Sequence, residues 1–247
     1  MNLEDHKKAL NGVGWFIPPY LQLGFLTTIK TEIDVGKITD PHQLESFLAQ
    51  AYSAPHLAAM VQERYATTPT INEYYGIIAE AVEAHFSGLG HVAVSGLLPV
   101  IEGTARKLAK SRDLPSGDKV GVKTVFAALA KDCKKEAAQR QIGDVGEILT
   151  MMDAFVEFTH AYLYEASSNY PLADKMNRHG MLHGAFSDGD YGRPVNFYKA
   201  VGALDVLCMI SAFRVNISWL APDPTPASNK LCAYYVVCAA LRTLRPG

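Results

Sequence analysis

Apolar residues recur every three to four positions along almost the whole chain, the spacing that gathers them on one face of an α-helix. No stretch alternates apolar and polar residues as a half-buried strand would. The pattern predicts helices over about 18–35, 41–51, 55–66, 71–87, 90–111, 119–139, 144–167, 172–183, 195–214 and 227–244. Asp40-Pro41 offers an N-cap followed by proline at the first helical position. Thr70 with Glu73 reads as a capping box. Gly, Pro, Ser and Asp gather in Ser111 to Asp118, Ser187 to Pro194 and Ala221 to Ser228, loops too short to be flexible interdomain linkers. The expected fold is all-α: a single domain over 1–247, with a helical bundle at 88–247 preceded by an N-terminal helical extension at 1–87.

Two of these helices carry polar groups that need partners. In His91 to Arg106, apolar residues point in most directions, so the helix is expected to be buried on most sides. His91, Ser95, Leu98 and Glu102 nevertheless share one stripe, and Pro99 should bend the helix locally. A buried Glu102 needs a cation or a hydrogen-bond donor, and Arg178 is the candidate. Asp205, inside the apolar run Ala200 to Ile210, raises the same need, with His179 or Tyr191 as the expected donor.

The most unusual segment is Asn177-Arg178-His179-Gly180-Met181-Leu182-His183-Gly184. His179 and His183 are four apart and share a face on a helix. Gly184 stands where a C-cap glycine belongs. Arg178 lies about 140° around a regular helix from His183, at about 100° per residue. The two converge only if the arginine wraps round, the helix is irregular at Gly180, or a second copy of the chain supplies one group.

Arg178, the polar His179 and His183, with four residues between Arg178 and His183, resemble the signature of the HEPN superfamily. These are small all-helical domains found in many prokaryotic toxins and phage-defence proteins. The wording of the motif, preceded by Leu98 to Gly103, is also similar to a group of uncharacterised bacterial proteins. The HEPN resemblance covers the C-terminal half. It implies a bundle that dimerises across the motif and cleaves RNA without a metal, although many members of the superfamily do not cleave. On this reading Arg178, His179 and His183 are the catalytic set and Glu102 assists it. Asn177 and Tyr191 are the expected substrate contacts.

The chemistry is sound for these residue types. Metal-independent RNA cleavage needs a base for the 2′-hydroxyl, an acid for the departing 5′-oxygen and a cation for the phosphate. Histidine titrates near neutrality and serves as either acid or base; arginine grips a phosphate with a planar fork. The competing reading is a hydrogen-bonded polar cluster that only specifies packing. Two further classes stay open: a non-catalytic module that binds a nucleotide, RNA or a protein, and a structural homodimer.

Other chemistries lack their signatures. Glu157-Phe158-Thr159-His160 is a single Glu-x-x-His, where a di-iron bundle needs two. There is no Gly-x-Ser-x-Gly elbow and no phosphate-binding glycine loop. Cys133, Cys208, Cys232 and Cys238 have no short paired spacing. No metal and no cofactor is therefore expected.

Charge sharpens the partner expectations. The net charge of −2 excludes a generic polyanion binder, yet residues 106–140 hold ten Lys or Arg against four acids. That segment is either a solvated face or a local phosphate-tracking patch. Charged residues make up only 19% of the 247, which leaves room for a buried homodimer interface. RNA, a second copy and an antitoxin or other protein are the partners expected. No membrane is expected among them, since no signal peptide or 18-residue apolar run is present. The expected location is the cytoplasm.

Overall fold

The computed structural model describes residues 3–244. Among them are eleven α-helices and no strand, an all-α bundle. The helices are α1 (Leu3–Gly12), α2 (Leu23–Asp34), α3 (Glu45–Ala51), α4 (Ala54–Ala59), α5 (Tyr75–Phe86) and α6 (Gly90–Ser111). They continue as α7 (Val122–Arg140), α8 (Val145–Phe158), α9 (Arg178–Leu182), α10 (Pro194–Ala212) and α11 (Pro226–Arg242).

The bundle is organised around α10, whose residues from Val195 to Ala212 are all buried. By length and composition α10 could cross a membrane, but here α3, α6 and α7 pack around it. A helix apolar on all sides belongs at the centre of a fold. α5 lies along α6, α7 bridges α6 and α8, α1 packs on α8, and α11 rests on α4 and α5. One continuous core runs from Leu3 to Tyr235, so the N-terminal helices are built into the bundle.

Several local expectations are corrected. α1 is absent from the predicted set because its apolar residues are few among charges. The helix predicted from 18 starts at Leu23, since Pro18 and Pro19 precede a Tyr20 held at φ +67°. Thr70 sits at φ +73° and caps nothing; a 3₁₀ turn, Asn72–Tyr74, leads into α5. Asp40 does form a capping box, with Gln43, ahead of a 3₁₀ turn. α4 and α8 each run into a π-helical turn, Met60–Tyr65 and Thr159–Leu163. Between His91 and Arg106, α6 is buried or half-buried on most sides as expected, and Val92 and Pro99, seven residues apart, mark the one stripe that faces solvent. The helix predicted over 172–183 shrinks to the five residues of α9. Lys175 at φ +55° and a fully buried Asp174 interrupt it.

Candidate functional site

Asn177 sets the position of α9. Its side-chain oxygen accepts from the Gly180 amide at 2.8 Å, closing the N-cap. Its Nδ2 donates to the carbonyls of Tyr162 at 2.9 Å and Glu165 at 2.8 Å, which ties α9 to the π-helical end of α8. Buried and engaged at both ends, Asn177 is a fastening rather than a substrate contact. Gly180 has no room for a side chain, because a Cβ there would collide with the Phe186 ring.

The short α9 removes the angular problem posed by Arg178 and His183. His183 lies outside the helix as its C-cap, at φ −101°. Arg178 Nη1 then reaches His183 Nε2 at 3.2 Å within one chain. An arginine only donates, so Nε2 is the acceptor in this contact and the ring proton falls on Nδ1. The rings of His179 and His183 stack at 5.8 Å with 10° between their planes. His183 is exposed, while Arg178 and His179 are half-buried.

Glu102, on α6, holds the arginine from the other side. Its Oε2 lies 3.3 Å from Arg178 Nε, an ion pair whose alignment falls short of a hydrogen bond. Its Oε1 accepts from Arg106 Nε at 3.2 Å and Nη2 at 3.1 Å. Glu102 is therefore shared between two guanidinium groups at the edge of solvent, with 21% of its side chain exposed, where the sequence pointed to burial. Burial, followed by the neighbouring Arg178 charge and a smaller effect of His183, holds the His179 pKa below its ordinary value. His179 is thus unprotonated at neutral pH, as a general base must be. Behind the cluster, burial drives the Tyr164 hydroxyl upward, with the Glu102 charge adding to the effect.

The remaining candidates lie elsewhere. Tyr191 meets His91 edge-on, with ring centroids 4.8 Å apart, at the start of α6. His91 and Glu102 are eleven residues apart on that helix, about 16 Å by helical rise, so Tyr191 is not part of the Arg178 cluster. Asp205 finds neither His179 nor Tyr191. It accepts from the Tyr65 hydroxyl at 2.7 Å deep in the core, and burial raises its pKa to about 8. His160 contacts the Lys123 carbonyl at 3.0 Å, and Glu157 is exposed. Among the described residues, no three His, Cys, Asp or Glu gather as a metal site would require. Six of the ten cations in 106–140 are ion-paired: Arg106, Lys107, Arg112, Lys123, Lys134 and Arg140.

Sequence reasoning missed one buried pair that supports the site. Lys199 Nζ lies 2.5 Å from Asp174 Oδ2, and neither side chain is exposed at all. Tyr170 donates to the other Asp174 oxygen at 2.7 Å, and Asn196 donates to the Asp174 carbonyl at 2.6 Å. The pair anchors the segment leading into Asn177 to the central helix. A lysine inside the apolar run after Val195 was a readable signal, of the same kind as Asp205.

Comparison with known proteins finds no matching family model, no matching curated protein and no matching solved structure.

Proposed function

We propose that the Arg178–His183 face is a metal-independent RNA-cleaving centre of HEPN type, as in toxins and phage-defence effectors. One observation carries the reading: an arginine fork and an imidazole nitrogen 3.2 Å apart at an accessible surface. A phosphate entering there would take over the Arg178 donors and free His183 Nε2 for proton transfer. His179, unprotonated at neutral pH, supplies the base for the 2′-hydroxyl, and His183, once its freed Nε2 has taken a proton from solvent, passes that proton to the departing 5′-oxygen. Glu102 orients Arg178 and contacts no substrate. The test is incubation of purified protein with single-stranded RNA in chelator. Wild type should yield 2′,3′-cyclic phosphate ends and spare DNA of the same sequence. His183→Ala should abolish cutting with the fold retained, and Arg178→Lys should fail because a point charge does not replace the fork.

A second reading draws on the paired cations of 106–140. With those six charges paired, Lys110, Lys119, Lys131 and Lys135 are left to track a long backbone, a smaller basic surface than the sequence count suggests. That favours a module that binds a nucleotide or short RNA through the same face without cleaving it. Binding abolished by Arg178→Ala, with no product on a broad RNA panel, would establish this reading and overturn the first.

A further inference from the structure

α11 is apolar on the side that faces away from the protein. Its inner side buries Ser228, Tyr235 and Cys238 against the bundle. The outer side presents Asn229, Ala233, Val236, Val237 and Ala240, followed by Leu244 in the next turn, all exposed. At about 100° per residue these six fall within an arc of about 100°, a single stripe. The only charges between Asn229 and Leu244 are Lys230, at the margin of the stripe, and Arg242. Arg242 lies off the stripe, exposed, with its side chain passing over Gly88.

The spacing along this stripe is palindromic. From Asn229 the steps are four, three, one, three and four residues, ending at Leu244. An antiparallel partner carrying the same stripe matches it at every step, as in the self-complementary contact of a two-fold dimer, while a parallel copy would set Lys230 against Lys230. We infer that α11 pairs antiparallel with α11 of a second copy of this chain, about a two-fold axis between Val236 and Val237.

The arrangement satisfies sterics and charge together. Ala233 faces Ala240 of the second copy, so small residues meet and the helices can approach closely. The Val236–Val237 pair meets its own counterpart at the axis. Asn229 faces Leu244, and Lys230 faces Thr243 rather than another cation. Val236 is 56% exposed, Val237 53%, Leu241 58% and Leu244 77%, with Tyr234 at 46% on the flank. At on the order of 100 Å² for each such side chain, with the alanines added, each copy presents roughly 600 to 700 Å². That approaches the roughly 800 Å² per partner of a stable interface. A membrane is the poorer fit, since Glu73, in the turn before α5, and Glu80, on α5, flank the exposed Ile77 of that adjoining helix. The interface is also separate from the Arg178 motif, which sits on α9 against α6.

Sedimentation velocity on the full chain across the micromolar range should show a species of twice the chain mass. Val237→Glu should return it to a single chain with unchanged helical circular dichroism. Ala233→Cys combined with Ala240→Cys should give a covalent dimer on mild oxidation. Ala239→Cys, off the stripe, should cross-link no more than wild type, whose half-buried Cys232 sets the background. This cross-linking result does not depend on the Val237→Glu variant folding. A monomeric wild type would overturn the inference, and co-flotation of that monomer with anionic vesicles would assign the face to a membrane. A dimer that survives Val237→Glu and leaves the double-cysteine pair uncrosslinked would place the interface elsewhere.

Discussion

Arg178 Nη1 and His183 Nε2 meet at 3.2 Å inside one chain, although a regular helix would hold them about 140° apart. The meeting depends on α9 ending at Leu182, so that His183 leaves the helical path. A composite site built from two chains is therefore unnecessary for this pair. The same cation also acts on His179, and that effect can be measured.

Proton titration of the His179 ring by NMR should give a value below 6.5 in the wild type. Burial is the leading cause and Arg178 the second, so Arg178→Gln should raise the value without restoring it fully. The linkage has a definite sign. A histidine depressed in the folded state binds fewer protons than in the unfolded state, so stability falls as pH drops below about 6.5. No change on removing Arg178 would mean that the guanidinium does not act on the imidazole.

Glu102 should matter more for alignment than for stability. Its side chain is partly exposed, so Glu102→Ala should cost about 1 kcal/mol in urea unfolding, near the upper range for exposed pairs. Glu102→Gln should cost less, since the amide oxygen still accepts from Arg106. A loss of several kcal/mol would show that Glu102 behaves as a buried charge.

Fold class was readable because helical spacing survives in most segments, and Asp40-Pro41 capped where its chemistry said it would. The departures have physical causes. Thr70 and Lys175 sit in left-handed backbone, which side-chain spacing does not encode. At the site, the Arg178–Glu102 pair followed from the need of a carboxylate for a cation. The roles of Asn177 and Tyr191 did not follow, because burial and the distance along α6 arise only from tertiary packing. Asp205 was rightly marked as needing a donor. Its donor, Tyr65, is 140 residues away, beyond the reach of any local pattern.

Two glycines on α6 should respond in opposite directions. A Cβ at Gly90 would collide with the Gly192 carbonyl, a backbone atom that cannot swing aside. Gly90→Ala should therefore destabilise by about 2 kcal/mol or more and loosen the loop that carries Tyr191. A Cβ at Gly96 would meet only the Ala81 methyl at 3.6 Å, ordinary contact. Gly96→Ala should stabilise by about 0.5 to 1 kcal/mol, the helix-propensity gain. Thermal melts of the two variants decide it, and equal shifts would contradict the close approach at Gly90.

Asp205 should make stability fall with rising pH. Its folded pKa, about 8, stands above the ordinary 3.8 because burial disfavours the carboxylate. The contribution is complete below about pH 4 and is lost as pH rises through about 8. Asp205→Asn keeps an oxygen for the Tyr65 hydroxyl and never ionises. Its stability relative to wild type should climb between pH 4 and 8, by about 6 kcal/mol if the full shift is realised. A difference that stays constant across this range would show that Asp205 titrates normally.

Lys199 and Asp174 should be strongly coupled, and their loss should reach the Arg178 motif. Both side chains are fully buried, so removing one partner leaves the other charge without compensation. Lys199→Met and Asp174→Asn should each cost about 3 to 5 kcal/mol in denaturant unfolding. The double variant should cost clearly less than the sum, since neither charge then remains. Packing explains why the lysine fits at all: a Cβ on Gly14 would lie 3.3 Å from its Nζ, so that glycine leaves the space. The structural consequence runs along the chain. Asp174 leads through Lys175 and Met176 into Asn177, whose side chain caps α9 and places Arg178. Hydrogen exchange should therefore speed up at the Gly180 amide in Lys199→Met under conditions where the amides of α7 stay protected. Additive effects in the double variant, or unchanged protection at Gly180, would separate the buried pair from the motif it is argued to hold.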